Sequence, residues 1–413
     1  MKIAIVGGGF TGLSAAYELL KYGHSVALFE KEKILGGLAM GWKEKHWQWS
    51  LEKGYHHWFT NDTAILNLTK KLGLENKLII KRPITSVWWQ GKMYPFDSPS
   101  SLLAFPGLSL LDKVRTGLLL AGLKSNPFGE YLENFTAEQL FISIGGKKAW
   151  QTIWEPLLYG KFGDYAPTVA ASWLWARIKK RTPSLMYMEG GFQTVVDALA
   201  RAIRSRGGII KIGITVNQKD FSQFDRVLLT IPTPIALNLV PQLKIENCKL
   251  QIAIPHLHAH VLILETKEPI LKDVYWLSVT DRSFPFLAVV AHTNFMDKKH
   301  YGGHHITYIG NYLPTGHKYL SMTKEQLLKE FFPFIKRLNP SFHLSDLQIY
   351  NLFIGYYAQP VHQLHYSKIA PKLATPIPGV YLANLDSIYP WDRGTNYAVE
   401  LGIRTARTIH ENG

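Results

Sequence analysis

Cysteine is almost missing from this chain. Cys248 is the only one in 413 residues, which excludes an intrachain disulfide and a cysteine metal cluster and is compatible with a reducing cytoplasm. Also lacking is an unbroken apolar run of the roughly 20 residues that a membrane-spanning helix needs. The long stretch Ser101 to Leu123 contains Asp112, Lys113 and Arg115 and is divided by Pro106-Gly107. Acidic residues are scarce as well: 31 Asp plus Glu face 46 Lys plus Arg, a formal charge of +15. Such a field attracts anionic lipid, phosphorylated substrates or nucleic acid and says little about fold. No nucleic-acid partner is expected, because Lys31 to Lys33, Lys43 to Lys45, Lys70-Lys71 and Lys179-Lys180 are scattered and no zinc-finger, helix-turn-helix or RNA-binding signature accompanies them. No signal peptide is expected either, since the residues after Met1 read as a strand that the working protein needs.

The most informative feature is at the start. Lys2 to Val6 is a short apolar strand running into Gly7-Gly8-Gly9-Phe10-Thr11-Gly12, with Gly7, Gly9 and Gly12 at the G-x-G-x-x-G spacing. Gly7 permits the tight turn, Gly9 keeps a side chain away from a pyrophosphate, and Gly12 lets helix and strand pack closely. Thr11 through Tyr22 reads as a helix whose first amides face the phosphates. His24 to Phe29 resumes a strand ending at Glu30, 18 residues beyond Gly12, where an acid accepts from a ribose hydroxyl. The bland alternative, glycines that solve packing alone, accounts for Gly12 but not for the others.

Gly379 to Ala383 reads as another strand, followed by a polar and aromatic loop to Arg393 and a helix entered through Gly394, Thr395 and Asn396. Both chain ends therefore belong to one nucleotide-binding domain. Between them, Met188-Glu-Gly-Gly leads to a helical pattern through Ile203, Ile209 to Val216 and Asp225 to Ile231 read as strands, and Pro232 and Pro234 close the latter.

These segments resemble the flavoprotein amine oxidase superfamily, particularly its protoporphyrinogen-oxidase-like and carotenoid-desaturase-like branches. The likeness rests on Ile5 to Gly37, Gly190-Gly191 through Pro232, and Gly379 to Ala406, about a third of the chain. It implies an FAD cofactor, an α/β doubly wound FAD domain built from residues 1–75, 186–240 and 360–413, and an α+β substrate domain of mixed sheet and helical cap from 76–185 and 241–359. It further implies cofactor contacts at Gly7, Gly9, Phe10, Thr11, Gly12, Glu30, Lys31, Gly36, Gly37, Leu38 and Val216. Glu52 and Gly54 match the acid-x-Gly position beside the flavin. A Gly-Asp pair is usual near the end of such chains; here Asn384 replaces the glycine and Asp386 falls one position late, before the helix entrance at Gly394, Thr395 and Asn396.

Residues 82–180 read as a mainly helical cap rich in tryptophan, either lining an apolar cleft or packing the cap's own core. Pro156 to Asp164 resembles the segment near the redox face and nominates Lys161. Ser101 to Leu123 reads as a membrane-facing amphipathic hairpin anchored by Lys113 and Arg115, or as cap packing. Leu250 to Leu264 reads as a strand carrying His256, His258 and His260 on one face, and no metal is expected, since a second ligand cluster is missing. His292 is the candidate proton handler.

The expected activity is FAD-dependent hydride removal from a bulky apolar substrate, a porphyrinogen or an isoprenoid, with an unidentified electron acceptor. The expected place is the cytoplasm, peripheral on the inner face of an anionic membrane. The alternatives are a non-redox flavin-dependent mutase acting on a nucleotide-sugar or lipid-linked sugar, and a cofactor-binding structural protein.

Overall fold

The computed structural model describes residues 1–244 and 254–413, so Cys248 and the beginning of the expected Leu250–Leu264 strand lie outside the described residues. Five parallel strands form one sheet in the order Ile209–Ile212, Ser25–Glu30, Lys2–Val6, Arg226–Leu229, Val380–Leu382. Ile5 is in register with Leu28 on one side and Leu228 on the other. All three are fully buried, as expected of parallel strands covered on both faces. Each contributes about 1.5–3 kcal/mol of burial. The strands come from three separated stretches of chain, so the sheet closes only when the C-terminal segment returns.

The helix Phe10–Lys21 lies against this sheet and against the C-terminal helix Thr395–Glu411. Two glycines allow that closeness. A Cβ at Gly12 would sit 2.1 Å from the Gly7 carbonyl oxygen, and one at Gly402 would sit 2.4 Å from the Thr11 carbonyl oxygen. The helix Gln193–Ser205 covers the other side of Phe10–Lys21 and follows strand Leu185–Met188 after a turn at Gly190 and Gly191, both at positive φ.

A seven-stranded mixed sheet runs Leu347–Pro360, His256–Thr266, His305–Leu313, Ala288–Ala291, Val274–Val279, Ile84–Trp89, Lys92–Pro95. Its pairs are antiparallel except Val274–Val279 with Ile84–Trp89. Residues 82–95, expected in the helical cap, therefore belong largely to this sheet. Trp88 and Val87 are buried in it, and β-branched and aromatic residues suit a pleated, half-buried surface. The cap proper follows, with helices Pro99–Ala104, Leu110–Ser125, Ala137–Gly145, Glu155–Phe162 and Ala171–Lys180. Ser98, Ser109 and Thr136 close capping boxes at the first three, each satisfying otherwise unpaired first-turn amides. Trp150, Trp173 and Trp175 are buried in the cap's own core, and Gly129 accommodates the Trp175 ring.

Ser101 to Leu123 is two helices broken at Pro106-Gly107, as its sequence suggested. No helix among the described residues is long and apolar enough to cross a membrane.

The contact at Gly12 sets a stability prediction. Gly12→Ala drives a methyl group into backbone that cannot swing aside, so it should destabilise the protein by about 1–3 kcal/mol or more. Urea unfolding of the cofactor-free protein measures this, and an unchanged midpoint would show that helix and strand are less tightly apposed than described.

Candidate active site

At the C-terminal edge of strand Lys2–Val6 the backbone forms a cradle with little side chain in it. Gly7 has φ 112° and Gly36 has φ 124°, conformations that favour glycine. The Gly36 N–H donates to the Gly8 carbonyl at 2.9 Å, and Gly9 and Gly36 form an isolated parallel bridge. Gly37 stands so close that its Cβ would lie 3.1 Å from Gly9 Cα. Gly9 is different: a Cβ there would meet only Gly37 Cα, at 3.8 Å. Protein packing gives no reason for glycine at position 9. Gly9 also caps the helix Phe10–Lys21 without a side-chain hydrogen bond, which leaves first-turn amides for an external acceptor. This is a cradle suited to a pyrophosphate.

Glu30 is buried beneath it. Its carboxylate accepts from the Gly8 N–H at 2.6 Å and the Glu32 N–H at 2.9 Å, so it holds the glycine turn. Val216 is buried in the same apolar cluster as Val6 and Phe29, three residues beyond a loop tied to Glu30 and Glu32 by the Ile214 and Gly213 amides. Phe10 and Thr11 are buried. Lys31 is exposed and paired with Glu32 at 3.7 Å, and Leu38 is exposed.

The C-terminal segment is fixed by its own polar side chains. Asn384 donates to the Ile231 carbonyl at 2.8 Å and to Thr233 Oγ1 at 3.0 Å, and accepts from the Asp386 N–H at 3.0 Å. The Asp386 carboxylate, 1% exposed, is occupied by Thr233 and by His256 Nε2, the latter at 2.7 Å. Through His256, this segment is locked to the seven-stranded sheet. Gly394 caps the last helix without a side chain, while Thr395 Oγ1 accepts from Trp58 Nε1 at 2.6 Å and Asn396 Oδ1 from the Ile65 N–H at 3.1 Å.

Glu52 is fully buried. Its carboxyl receives Tyr187 OH at 2.7 Å and the Phe192 N–H at 2.6 Å, and its carbonyl receives Tyr308 OH at 2.9 Å. Burial pushes its pKa up to about 7, against the opposing pull of those hydrogen bonds. His292 lies in the same cluster, 2.7 Å from Tyr301 OH, and burial pulls it down to about 3, so its imidazole is neutral. Gly54 follows on the rim, its carbonyl 2.7 Å from His56 Nδ1, which therefore carries the proton.

Tyr55, His56 and His57 retain accessible surface although protein surrounds them, as residues lining an internal cleft do. Trp276 stands 5.0 Å from the Tyr55 ring, centre to centre, at right angles. Gly310 makes room for Tyr55, since a Cβ there would lie 2.4 Å from its ring.

A second cluster, unforeseen from the sequence, borders the cleft. Asp392 takes Arg177 at 2.8 Å, Trp173 Nε1 at 3.0 Å and Lys161 at 4.0 Å. These cations hold its carboxyl far below the usual range despite burial. Lys161, buried over the Trp173 and Tyr312 rings, is shifted well below an ordinary lysine, chiefly by desolvation. Arg393 donates to Gln359 at 2.8 Å and to Tyr312 OH. Burial draws Arg393 to about 10, which leaves it charged at neutral pH. His292 and Lys161 share no contact partner. The strand histidines differ in their hydrogen bonds, His258 to Thr315 at 2.9 Å and His260 to the Tyr319 carbonyl at 3.1 Å, while His256 and His258 both stand edge-on to the Tyr357 ring.

A glycine cradle at the edge of a parallel sheet, with a buried acid holding its turn and an uncapped helix start behind it, is the arrangement of the doubly wound class. The chain belongs to the flavin containing amine oxidoreductase family, which it matches over residues 10–410. Its cofactor is FAD. The chain is 29% identical over 181 residues to zeta-carotene desaturase of Solanum lycopersicum, covering 38% of this chain and 31% of that protein. The match therefore spans about a third of the relative's length. A candidate protoporphyrinogen oxidase from Exiguobacterium sp. 255-15 has the same fold, with TM-score 0.74, 17% identity and 100% and 99% of the two chains covered. Reduced UDP-galactopyranose mutase superposes equally well, with TM-score 0.74, 16% identity and 99% and 95% covered.

Two predictions follow from this geometry. Gly9→Val should lower FAD affinity at least about tenfold while leaving unfolding of the cofactor-free protein almost unchanged. Glu30→Gln should cost less affinity but also loosen the glycine turn. Fluorescence titration of folded, FAD-stripped protein measures both, and native affinity in both variants would overturn the nucleotide site.

Glu52 predicts a pH effect. The folded state favours its acid form, so its stabilisation is complete below the ordinary value of 4.5 and is lost as pH rises through about 7, roughly 3 kcal/mol in all. Glu52→Gln should flatten that dependence and compare better with wild type at pH 8 than at pH 5 in urea melts. Parallel pH profiles would refute the assignment.

Proposed function

We propose that this protein is an FAD-dependent oxidoreductase that removes hydride from an activated C–H or N–H bond of a bulky, largely apolar substrate, a porphyrinogen or an isoprenoid, leaving an unsaturated product. FAD supplies the two-electron acceptor, and a further acceptor must reoxidise it. The observation that carries the reading is Gly9, whose open side has no packing explanation. The cofactor-facing set is Gly7, Gly9, Phe10, Thr11, Gly12, Glu30, Lys31, Gly36, Gly37, Leu38, Glu52, Gly54, Val216, Asn384, Gly394, Thr395 and Asn396.

The protein's own contribution is positioning and water exclusion. Tyr55, His57 and Trp276 supply apolar, edge-on rings. Of the two proton handlers, Lys161 has the better placement: its Nζ lies over the Trp173 and Tyr312 rings and 4.0 Å from Asp392, and burial shifts it well below an ordinary lysine, which eases proton exchange at Nζ. His292 serves the reaction by holding Tyr301 beneath Glu52.

A flavin-dependent mutase acting on a nucleotide-sugar or lipid-linked sugar is the second reading, favoured by the arginines along the cleft. Anaerobic addition of porphyrinogens, isoprenoids and activated sugars separates the two. Net flavin bleaching with an oxidised product is the expected outcome, and isomerisation without net electron transfer would replace it with the mutase.

We place the protein in the cytoplasm, peripheral on the inner face of an anionic membrane. Leu110, Leu111, Val114 and Leu118 are 48–71% exposed on one side of a helix, with Leu103 beside them. Such a ridge is costly in water and suits the acyl boundary. Lys113 and Arg115, read from sequence as lipid anchors, instead donate to the carbonyls of Leu103 at 2.6 Å and Ile144 at 2.9 Å, so attachment rests on the leucines and the overall charge. The protein should float with anionic vesicles, and Leu111→Glu/Leu118→Glu should abolish this. Equal recovery of both proteins in the bottom fraction would remove the membrane from the proposal.

A further inference from the structure

Outside the residues of the cleft, side chains from three distant parts of the chain converge on one point. Glu265, near the end of strand His256–Thr266, is 2% exposed. Its Oε1 lies 2.7 Å from His46 Nε2 and 2.6 Å from His304 Nδ1. Its Oε2 accepts from Trp47 Nε1 at 3.1 Å. One ligand atom from each of His46, Glu265 and His304 fits within a span of 4.8 Å. His46 stands on the loop between the paired strands Gly41–Trp42 and Leu51–Glu52, and His304 immediately precedes strand His305–Leu313. A Cβ at Gly302 would lie 2.5 Å from the His46 ring, so a larger residue there would displace the imidazole.

The carboxylate is short of positive charge. No lysine or arginine among the described residues pairs with Glu265, and two imidazoles and an indole serve it instead. Neutral N–H donors satisfy its lone pairs, yet a buried ionised carboxylate is costly without a countercharge. A divalent cation supplies that charge and takes all three ligand atoms at once. Two imidazole nitrogens and one carboxylate oxygen are a zinc donor set, with bonds of about 2.0–2.2 Å and ligand atoms roughly 3.3 Å apart. Opening the two histidine contacts to that spacing asks a shift of roughly 0.6–0.7 Å, within reach of side-chain rotation. The His46 and His304 side chains are 40% and 29% exposed, which gives an ion its entry path and water the fourth position. The Trp47 indole, held on the other carboxylate oxygen, orients the ligand from behind.

We propose that His46 Nε2, Glu265 Oε1 and His304 Nδ1 bind a zinc ion, with water completing the tetrahedron. Each imidazole coordinates as a neutral ring, so the ring proton facing Glu265 moves to the other nitrogen and no redox change occurs. The ion ties the Gly41–Trp42 and Leu51–Glu52 hairpin to the seven-stranded sheet, and that hairpin carries the buried Glu52. Its effect is structural and independent of the flavoprotein reading. His256, His258 and His260, the histidines that the sequence lined up on one strand, take no part. Glu265 stands 219 positions from His46 and 39 from His304, which no ligand-spacing rule along the chain anticipates.

The test uses FAD-loaded protein stripped of metal with EDTA and then freed of chelator. Zinc is titrated against a chromogenic competitor, and cobalt(II) serves as the spectroscopic probe. The wild type should take up zinc, melt at higher temperature with zinc present, and give cobalt(II) the intense visible bands of four-coordinate geometry. His46→Gln and His304→Gln should each weaken zinc binding by about a hundredfold or more, the upper end of what losing even an outer-shell partner costs. Both should also lose the melting shift and the cobalt bands. His300→Gln, a neighbouring histidine stacked on Trp49 and outside the trio, should keep all three properties. Glutamine retains an N–H donor for Glu265 and both histidines are partly exposed, so the variants should fold, with flavin absorbance and the metal-free melt as the check. A wild type with no zinc-dependent melting shift, or with a six-coordinate cobalt spectrum, overturns the proposal without recourse to any variant. Equal zinc affinity in the wild type and both histidine variants overturns it as well.

Discussion

Close approach of backbone to backbone governs this fold. Gly12 lies so near Gly7 that no side-chain carbon fits between them, and Gly402 brings the last helix equally near the first. With these contacts made, the amino-terminal strand, the middle strands and the carboxy-terminal strand share one parallel sheet, and the first and last helices both start without a side-chain cap. Every later feature inherits that arrangement. The Asn384 turn, tied to Ile231 and Thr233, and the Asp392-Arg393 segment, tied to Arg177 and Gln359, lead into the C-terminal helix that is held against Phe10–Lys21.

Around the cleft, burial acts on charges in opposite ways according to company. Glu52 has hydrogen-bond donors but no cation among its contacts, so desolvation wins and the acid form persists to about pH 7. Asp392 is buried as deeply, yet Arg177 and Lys161 stand against it and keep it ionised. Those two environments separate a neutral carboxyl, set in a tyrosine and histidine cluster, from an ionised one set among cations. Two titratable groups driven apart in this manner are a common basis for distinct chemical roles within one site.

The glycine fingerprint was legible because its demands are local: a tight turn, an open face and a close crossing are each written within six residues. Glu30 was legible by its distance from Gly12. The tethers of the site were not. His256 to Asp386 and Arg177 to Asp392 join residues 130 and 215 positions apart, and no periodicity links such partners. The period-two histidines 256, 258 and 260 suggested a shared face, and His256 and His258 do both stand edge-on to the Tyr357 ring; their hydrogen-bond partners, Asp386, Thr315 and the Tyr319 carbonyl, were not legible. The strands Ile84–Trp89 and Lys92–Pro95 were absorbed into the cap because their tryptophans suit either setting.

The same fold accommodates oxidases, desaturases and a mutase, so the fold cannot decide among them. What distinguishes such enzymes is the lining that meets the substrate, because the cofactor carries the electron transfer and imposes few requirements on side chains at the reacting atoms. In this chain the walls combine rings and charge: Tyr55 and Trp276 pack edge-on, Trp391 stacks on Tyr397, and Arg177 and Lys161 stand against the Asp392 carboxylate. The rings offer apolar area while the Asp392 cluster keeps its opposite charges together within the protein, so apolar surface is presented beside a carboxylate that is already compensated.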